Sequence, residues 1–179
     1  MNNKSIRLKL LKKRWNLQPS VKAQLDHQIY LKALNAINGR KVINKFIAFY
    51  WPIENEVDTI ALIHELLKKQ YKICVPYIKK KQMFFKPITS IHFEYEFWKN
   101  MRQPIIKNII DGSEISLLIT PIIGFNQSQQ RLGYGLNFYN DYLDKYNHIY
   151  TIGLAYDFQR NDEFITDRRD KVINLIITN

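Results

Sequence analysis

Apolar residues recur about one turn apart from Ser5 to Leu17, at Leu8, Leu11 and Trp15. That spacing predicts a helix, with Lys9, Lys12 and Lys13 on its other face. Pro19 and Ser20 punctuate the chain, and Ser20 suits the N-cap of a second helix. Leu25, Ile29, Ala33 and Ile37 then repeat every four residues, and Gly39 follows where a left-handed C-cap is cheap. Lys45 to Tyr50 is a β-prone run that ends before Pro52. Asp58 or Thr59 caps a third predicted helix, on which Ile60, Ile63 and Leu67 face one way. Lys72 to Val75 reads as a strand stopped by Pro76, giving a strand–helix–strand unit of about 30 residues. Gln82 to Lys86 reads as a short exposed strand or hairpin arm. Ile115 to Ile123 is nearly all apolar, as a strand buried on both faces should be. Gly124 to Asn137 is a polar loop, Phe138 to Tyr146 a helix, and Tyr150 to Ala155 and Lys171 to Thr178 are further strands. Alternating strands and helices predict a single three-layer α/β/α domain over residues 1–179, with a mixed, mostly parallel central sheet. No repeat, low-complexity segment or linker interrupts it.

Composition narrows the class. Of 179 residues, 46% are hydrophobic, too many for a disordered tail. A chain of this length buries about 70% of its unfolded surface. The single cysteine, Cys74, rules out a disulfide framework and a Cys-based zinc site; its apolar surroundings predict a buried thiol in a reducing cytoplasm. No signal-peptide pattern follows the basic start, and no run of about 18 apolar residues would span a membrane. With 27 Lys plus Arg against 16 Asp plus Glu, the net charge is +11, which calls for an anionic partner. Nucleic acid, a phosphate-bearing small molecule and an acidic membrane surface all qualify.

Candidate chemistry concentrates in two segments. Arg131–Leu132–Gly133–Tyr134–Gly135, followed by Phe138, Tyr139 and Asp141, comes just after the most apolar strand. Ligands of open α/β sheets gather at strand carboxyl ends. Glycines let backbone N–H groups approach a phosphate while a guanidinium forks onto its oxygens; the other reading is a plain surface loop. In Tyr50–Trp51–Pro52–Ile53–Glu54–Asn55–Glu56, aromatics suited to stacking precede two carboxylates. Those acids either pair with a guanidine-like heterocycle edge or simply open a helix, where acids favour the dipole. The four histidines, His27, His64, His92 and His148, have no ligand spacing, so no zinc site is expected. Among Asp157, Asp162, Glu163, Asp167 and Asp170, a magnesium ligand and a solvated face are both open readings.

The stretch ITPIIGFNQSQQRLGYGLNFYNDYL resembles the signature of the 5-formyltetrahydrofolate cyclo-ligase family, also called 5,10-methenyltetrahydrofolate synthetase. That signature reads approximately D-x-(V/I)-(I/L)-(V/T)-P-x-x-x-F-D-x-x-G-x-R-L-G-x-G-x-G-Y-Y-D. Other landmarks occur in the same order: a basic first helix (KSIRLKLLKKR), NEVDT after a strand, a strand ending CVP, Gln103–Pro104, IGLAYDFQ and a terminal D-x-x-x-x-x-(I/V)-(I/V)-T. The resemblance covers nearly the whole chain. It implies an ATP- and Mg²⁺-dependent ligase that closes 5-formyltetrahydrofolate to 5,10-methenyltetrahydrofolate, releasing ADP and phosphate. ATP and a reduced folate, with or without a polyglutamyl tail, would be its partners, and a cytoplasmic monomer is expected.

By the resemblance, Arg131, Leu132, Gly133, Tyr134, Gly135, Leu136, Asn137, Phe138 and Tyr139 would line ATP, with Lys4 and Arg7 reaching it from the first helix. Arg131 and Tyr139 would be catalytic. Trp51, Glu56, Tyr134, Gly135 and Phe138 would contact the folate, and Asp170 with Asn140 would hold magnesium. The sequence departs from the family pattern at several places. Asn140 stands where the signature has the Asp ligand, and Asn137 where it has a glycine. Asn126 replaces the Asp after the loop Phe, and Gln129 the following Gly. The family's Lys four residues before Arg7 falls on Asn3, with Lys4 one place off. Two other readings stay open: a relative that binds reduced folate without efficient turnover, and a basic nucleic-acid-binding domain, for which no recognised motif is present.

Overall fold

Helix α1 (Asn3–Trp15) begins where Asn2 accepts a bond from the Ser5 N–H at 2.9 Å, a side-chain N-cap. In the computed structural model, which describes residues 2–40, 42, 44–167 and 170–179, its buried face is not the expected one. Ile6, Leu10, Leu11 and Arg14 are buried, whereas Leu8 and Trp15 are exposed. Helix α2 (Pro19–Asn38) buries Ile29, Ala33 and Ile37 as its four-residue repeat predicts, but Gln18, not Ser20, is the N-cap residue. Gly39 ends it in a right-handed conformation, φ −70°, so the left-handed cap is not used. Strand β1 (Phe46–Ala48) is followed by helix α3 (Ile60–Lys68), whose first turn is held by the Asp58 carboxylate accepting from Ile60 N–H at 2.8 Å.

Strand β2 (Lys72–Lys79) runs through Pro76 rather than stopping there. The Cys74 carbonyl faces β1, accepting from Phe49 N–H, and the Ile78 N–H on the same side of the strand meets Gln103. Pro76 lies between them, past the end of β1, so its missing N–H costs no ladder bond. Strand β3 (Gln82–Ile88) pairs antiparallel with β2 and is largely buried at Met83, Phe85, Lys86 and Ile88, against the expectation of an exposed arm. Strands β4 (Tyr95–Trp98) and β5 (Met101–Pro104) form a separate hairpin that the pattern did not predict. Strand β6 (Ile115–Pro121) is the apolar run. Within the expected loop, β7 (Gly124–Phe125) and β8 (Arg131–Leu132) pair as a second small ribbon. Helix α4 (Phe138–Lys145), β9 (Tyr150–Leu154) and β10 (Leu175–Ile177) complete the chain.

The main sheet has the order β10-β9-β6-β1-β2-β3, parallel except for β3. The architecture is thus α/β with a mixed, mostly parallel sheet between helices. Side chains alternate faces along each strand. Ile47, Ile73, Val75, Leu117 and Ile119 pack with α2 and α3, while Ala48, Cys74 and Leu118 pack with Tyr142 and Leu143 of α4. Helix α1 lies apart from both layers, its Ile6, Leu10 and Leu11 against Ile123, Leu132 and Phe164. From β1 the chain moves to β2 on one side and later returns to β6 on the other. That reversal leaves a crevice beyond the carboxyl ends of β1 and β6, where open α/β sheets take ligands. Among the described residues, no helix is long and apolar enough to cross a membrane.

Candidate active site

A cavity of about 350 Å³ opens at that crevice. Its floor is Tyr50 and Trp51 just after β1, Pro76 within β2 and Pro121 at the end of β6, and its walls come from α1, the β4–β5 turn and the segment from Arg131 to Asn140. Every residue from Arg131 to Asn140 lines it, as do Arg7, Trp51, Glu56 and Asp170. The two sequence segments, about 80 residues apart, therefore meet in one pocket. Lys4 does not belong to it. One residue along a helix turns the side chain by about 100°, and Lys4 is exposed to solvent while Asn3 lines the cavity. Asn3 exchanges bonds with Ile165, donating to its carbonyl at 2.7 Å and accepting from its N–H at 2.8 Å.

The glycine loop is held by arginines. Arg7 Nε donates to the Gly133 carbonyl at 2.6 Å. Gly135 has φ +86°, a region open to glycine, and a side chain there would project toward the Arg7 guanidinium. Helix α4 starts from Asn137 in the left-handed conformation, φ +56°, and Gln129 has φ +58°. Both positions are glycine in the family signature, and the structure keeps the glycine-like backbone with other residues in place. Asn126 retains a turn role, its Oδ1 accepting from the Gln130 N–H at 3.0 Å.

Arg131 is buried, its Cζ 5.0 Å from the centre of the Tyr139 ring. Burial works against its charge, and Tyr139 and Asp170 favour it. Its Nη2 donates to Asn140 Oδ1 at 3.1 Å, and Asn140 Nδ2 donates to Asp170 Oδ1 at 3.0 Å. Asp170 Oδ2 accepts from the Asp167 N–H at 2.7 Å. Asn140 is therefore a bridge between a cation and a carboxylate, and not the N-cap of α4, which is Asn137. Its oxygen is turned to the guanidinium and its N–H₂ to Asp170, an orientation in which the amide offers no oxygen beside Asp170. Among the described residues, no cluster of three or more Asp, Glu, His or Cys could hold a metal by itself. Asp170 alone fits the single carboxylate that Mg²⁺ needs when phosphates and water supply the rest.

Glu56 is buried, in a turn before α3 and not in the helix. Two consecutive left-handed residues, Glu54 and Asn55, fold the chain back so that Glu56 Oε2 accepts from Ile53 N–H at 3.0 Å. Burial raises its pKa from 4.5 to about 7, against the lowering effects of Arg14, the Ile53 N–H and a hydrogen bond from Tyr134. The reading of Glu56 as a helix-opening acid is thus overturned. Trp51 packs edge-on to Phe93 at 4.9 Å, and Phe138 edge-on to Trp98 at 5.6 Å, giving the cavity aromatic walls. Sequence reasoning missed Arg14. It is 1% exposed, and it follows Ile6 and Leu10 at four-residue intervals, a signal that it lies on the buried face.

The profile of the 5-formyltetrahydrofolate cyclo-ligase family matches residues 1–179, the whole chain. The chain belongs to that family. The 5-formyltetrahydrofolate cyclo-ligase of Mycoplasma pneumoniae is 30% identical over 179 residues, covering 99% of this chain and 98% of that protein. The one from Haemophilus influenzae is 26% identical, covering 92% and 91%. A solved 5,10-methenyltetrahydrofolate synthetase from Mycoplasma pneumoniae superposes with a TM-score of 0.83 at 29% identity, over 99% of both chains. The synthetase of Aquifex aeolicus shares the fold, with a TM-score of 0.85 at 23% identity. As a member of this ligase family, the chain is an enzyme, and the cavity is where its family signature and its fold converge.

Proposed function

We propose that this chain uses Mg-ATP to convert 5-formyltetrahydrofolate into 5,10-methenyltetrahydrofolate. The observation that carries the reading is one cavity in which the Arg131–Tyr139 segment faces Trp51 and Glu56. A loop suited to phosphate and a carboxylate-and-aromatic pocket lie within reach of one another, as transfer of a phosphoryl group from a nucleotide to a group on a heterocycle requires. A formamide is a poor electrophile and its oxygen a poor leaving group. Transfer of the γ-phosphoryl to the formyl oxygen gives an imidate phosphate and ADP. N10 then attacks the formyl carbon and gives up its proton to solvent, the ring closes and phosphate departs with the formyl oxygen. Such chemistry is mostly positioning and charge neutralisation.

In this assignment, Arg7 and Arg131 bind phosphate oxygens, with the backbone of Gly133 to Asn137 along the nucleotide. Arg131 is the catalytic cation and Tyr139 orients it through its ring. Glu56 accepts from the N–H-bearing edge of the pterin, Trp51 and Phe138 pack on its face, and Tyr134 and Gly135 complete the wall. Asp170 would hold Mg²⁺ together with ATP oxygens and water, and Asn140 positions Asp170 and Arg131. The metal would neutralise charge on the transferring phosphoryl group. The +11 net charge suits two anionic substrates. The buried thiol of Cys74 suits a reducing, cytoplasmic setting.

The test is to incubate the purified chain with ATP, Mg²⁺ and 5-formyltetrahydrofolate and follow methenyl product by absorbance and ADP by coupled assay. Equal amounts of both are expected. Binding of folate and ATP without product would favour a relative impaired in turnover, consistent with Asn140 in place of the signature's Asp.

A further inference from the structure

Arg14 is a buried cation bonded to two residues of the cavity lining, Glu54 and Tyr134, and the reaction assigns it no task. Its Nε donates to the Glu54 carbonyl at 2.9 Å, its Nη1 to the Ile122 carbonyl at 3.4 Å and its Nη2 to the Tyr134 hydroxyl at 2.8 Å. Among the described residues, none of its hydrogen bonds goes to a carboxylate. Tyr134 occupies the unspecified position of R-L-G-x-G, so the signature does not explain the contact. Because the Tyr134 oxygen accepts from Arg14 at 2.8 Å, its own proton is free to point elsewhere; Glu56 lines the same cavity, and the Tyr134 hydroxyl favours its charged form.

We propose that Arg14 and Tyr134 are a positioning pair for Glu56. Arg14 orients the Tyr134 hydroxyl and ties down the Glu54 carbonyl, and together these present the Glu56 carboxylate to the folate. The inference rests on the reading of Glu56 as the carboxylate that receives the pterin. A carboxylate in a dry pocket is driven toward its neutral form, which would offer the pterin edge one acceptor fewer. Among the described residues, the charged and titratable groups that interact with Glu56 are few. Arg14 faces it from α1, Tyr134 from the glycine loop, Tyr50 from the end of β1, Tyr139 from α4 and Glu54 from its own turn. Burial pushes the three phenols upward, so they stay neutral, and Glu54 opposes a second negative charge. Arg14 is thus the cation of the set, and Tyr134 is its link to the carboxylate. The Glu54 carbonyl bond ties Arg14 to the same turn that presents Glu56, so aim and charge are set by one side chain.

Tyr134→Phe keeps the ring and removes the link, which makes it the principal variant. Arg14→Lys keeps the charge but not the fork; its buried position makes folding the first thing to check. Two readouts separate positioning from mere support. In protein labelled with ¹³C at the Glu carboxyls, the Glu56 resonance, assigned by its loss in Glu56→Gln, should titrate at higher pH in Tyr134→Phe than in the wild type. The pH at which the folate KM begins to rise on acidification should move up with it. At pH 7.5 the folate KM should increase roughly two- to tenfold, the range of one hydrogen bond, and more than the ATP KM. A folded Tyr134→Phe protein with the wild-type Glu56 titration and folate KM would overturn the pair. Glu56→Gln separates the two levels. A raised folate KM in Glu56→Gln beside an unaltered Tyr134→Phe rejects the pair but keeps the pterin carboxylate. An unaltered folate KM in Glu56→Gln rejects that carboxylate, and the pair with it.

Discussion

Arg131 Nη2 donates to Asn140 Oδ1, and that single bond decides which way the Asn140 amide faces. With its oxygen on the guanidinium, the amide turns its N–H₂ to Asp170. Flipping the amide would set donor against donor at Arg131 and acceptor against acceptor at Asp170. An aspartate at this position would keep the bond to Arg131 and place a second carboxylate beside Asp170. The substitution thus exchanges a self-satisfied bridge for a site that wants a cation.

Asn140→Asp should therefore make the protein depend on magnesium in a way the wild type does not. Without Mg²⁺ the two carboxylates repel and the melting temperature falls; with Mg²⁺ and ATP it recovers, and activity saturates at lower free Mg²⁺. A magnesium titration of both proteins at fixed ATP, read by thermal melting and by rate, measures this. Superimposable curves would end a metal role for position 140.

Arg131→Ala should weaken ATP binding by roughly 1.5–3 kcal/mol, the scale of a charge-assisted hydrogen bond to an ion. Calorimetric titration with a non-hydrolysable ATP analogue measures it. Arg131→Lys should recover little, since one ammonium cannot bond Asn140 and fork onto a phosphate together. An ATP affinity unchanged in the alanine variant would refute the assignment.

The Glu56 carboxyl should leave a mark on stability. Its pKa is about 7 in the folded chain against 4.5 when unperturbed, so between those values the native state binds more protons than the unfolded one. Stability contributed by this group falls as pH rises through that window and levels off above it, by about 3 kcal/mol in all. Glu56→Gln lacks this slope. It should be more stable than wild type at pH 8 while binding folate worse. Denaturant midpoints at pH 5 to 8 give the comparison, and parallel profiles for the two proteins would contradict it.

Asn137 holds a left-handed conformation at the start of α4 with no side-chain cap bond. Asn137→Gly should stay within about 0.5 kcal/mol of the wild type, whereas Asn137→Val should cost about 1–2 kcal/mol, because only the branched side chain resists this backbone. Equal losses for both would mean that position 137 is limited by something other than φ.

The parallel sheet was legible because its strands carry apolar runs and its helices carry four-residue repeats, as at Ile29, Ala33 and Ile37. The β4–β5 hairpin was not, because its turn at Lys99 takes φ +52° without a glycine to announce it, and its strands expose aromatics. Helix α1 misled for a related reason. Hydropathy ranks Trp15 above Arg14, yet packing buries the arginine because three oxygens are waiting for it. In the site, the segment from Arg131 was visible through its glycines. Glu56 was ambiguous, since a buried carboxylate and a helix-opening one read alike until the turn at Glu54 and Asn55 is seen.

The fate of the formyl oxygen tests the proposed reaction most directly. With 5-formyltetrahydrofolate carrying ¹⁸O in the formyl group, the purified chain, ATP and Mg²⁺ should yield methenyl product, an equal amount of ADP, and inorganic phosphate bearing the label. No methenyl product from folded, ATP-binding protein, or product whose phosphate is unlabelled, would contradict it.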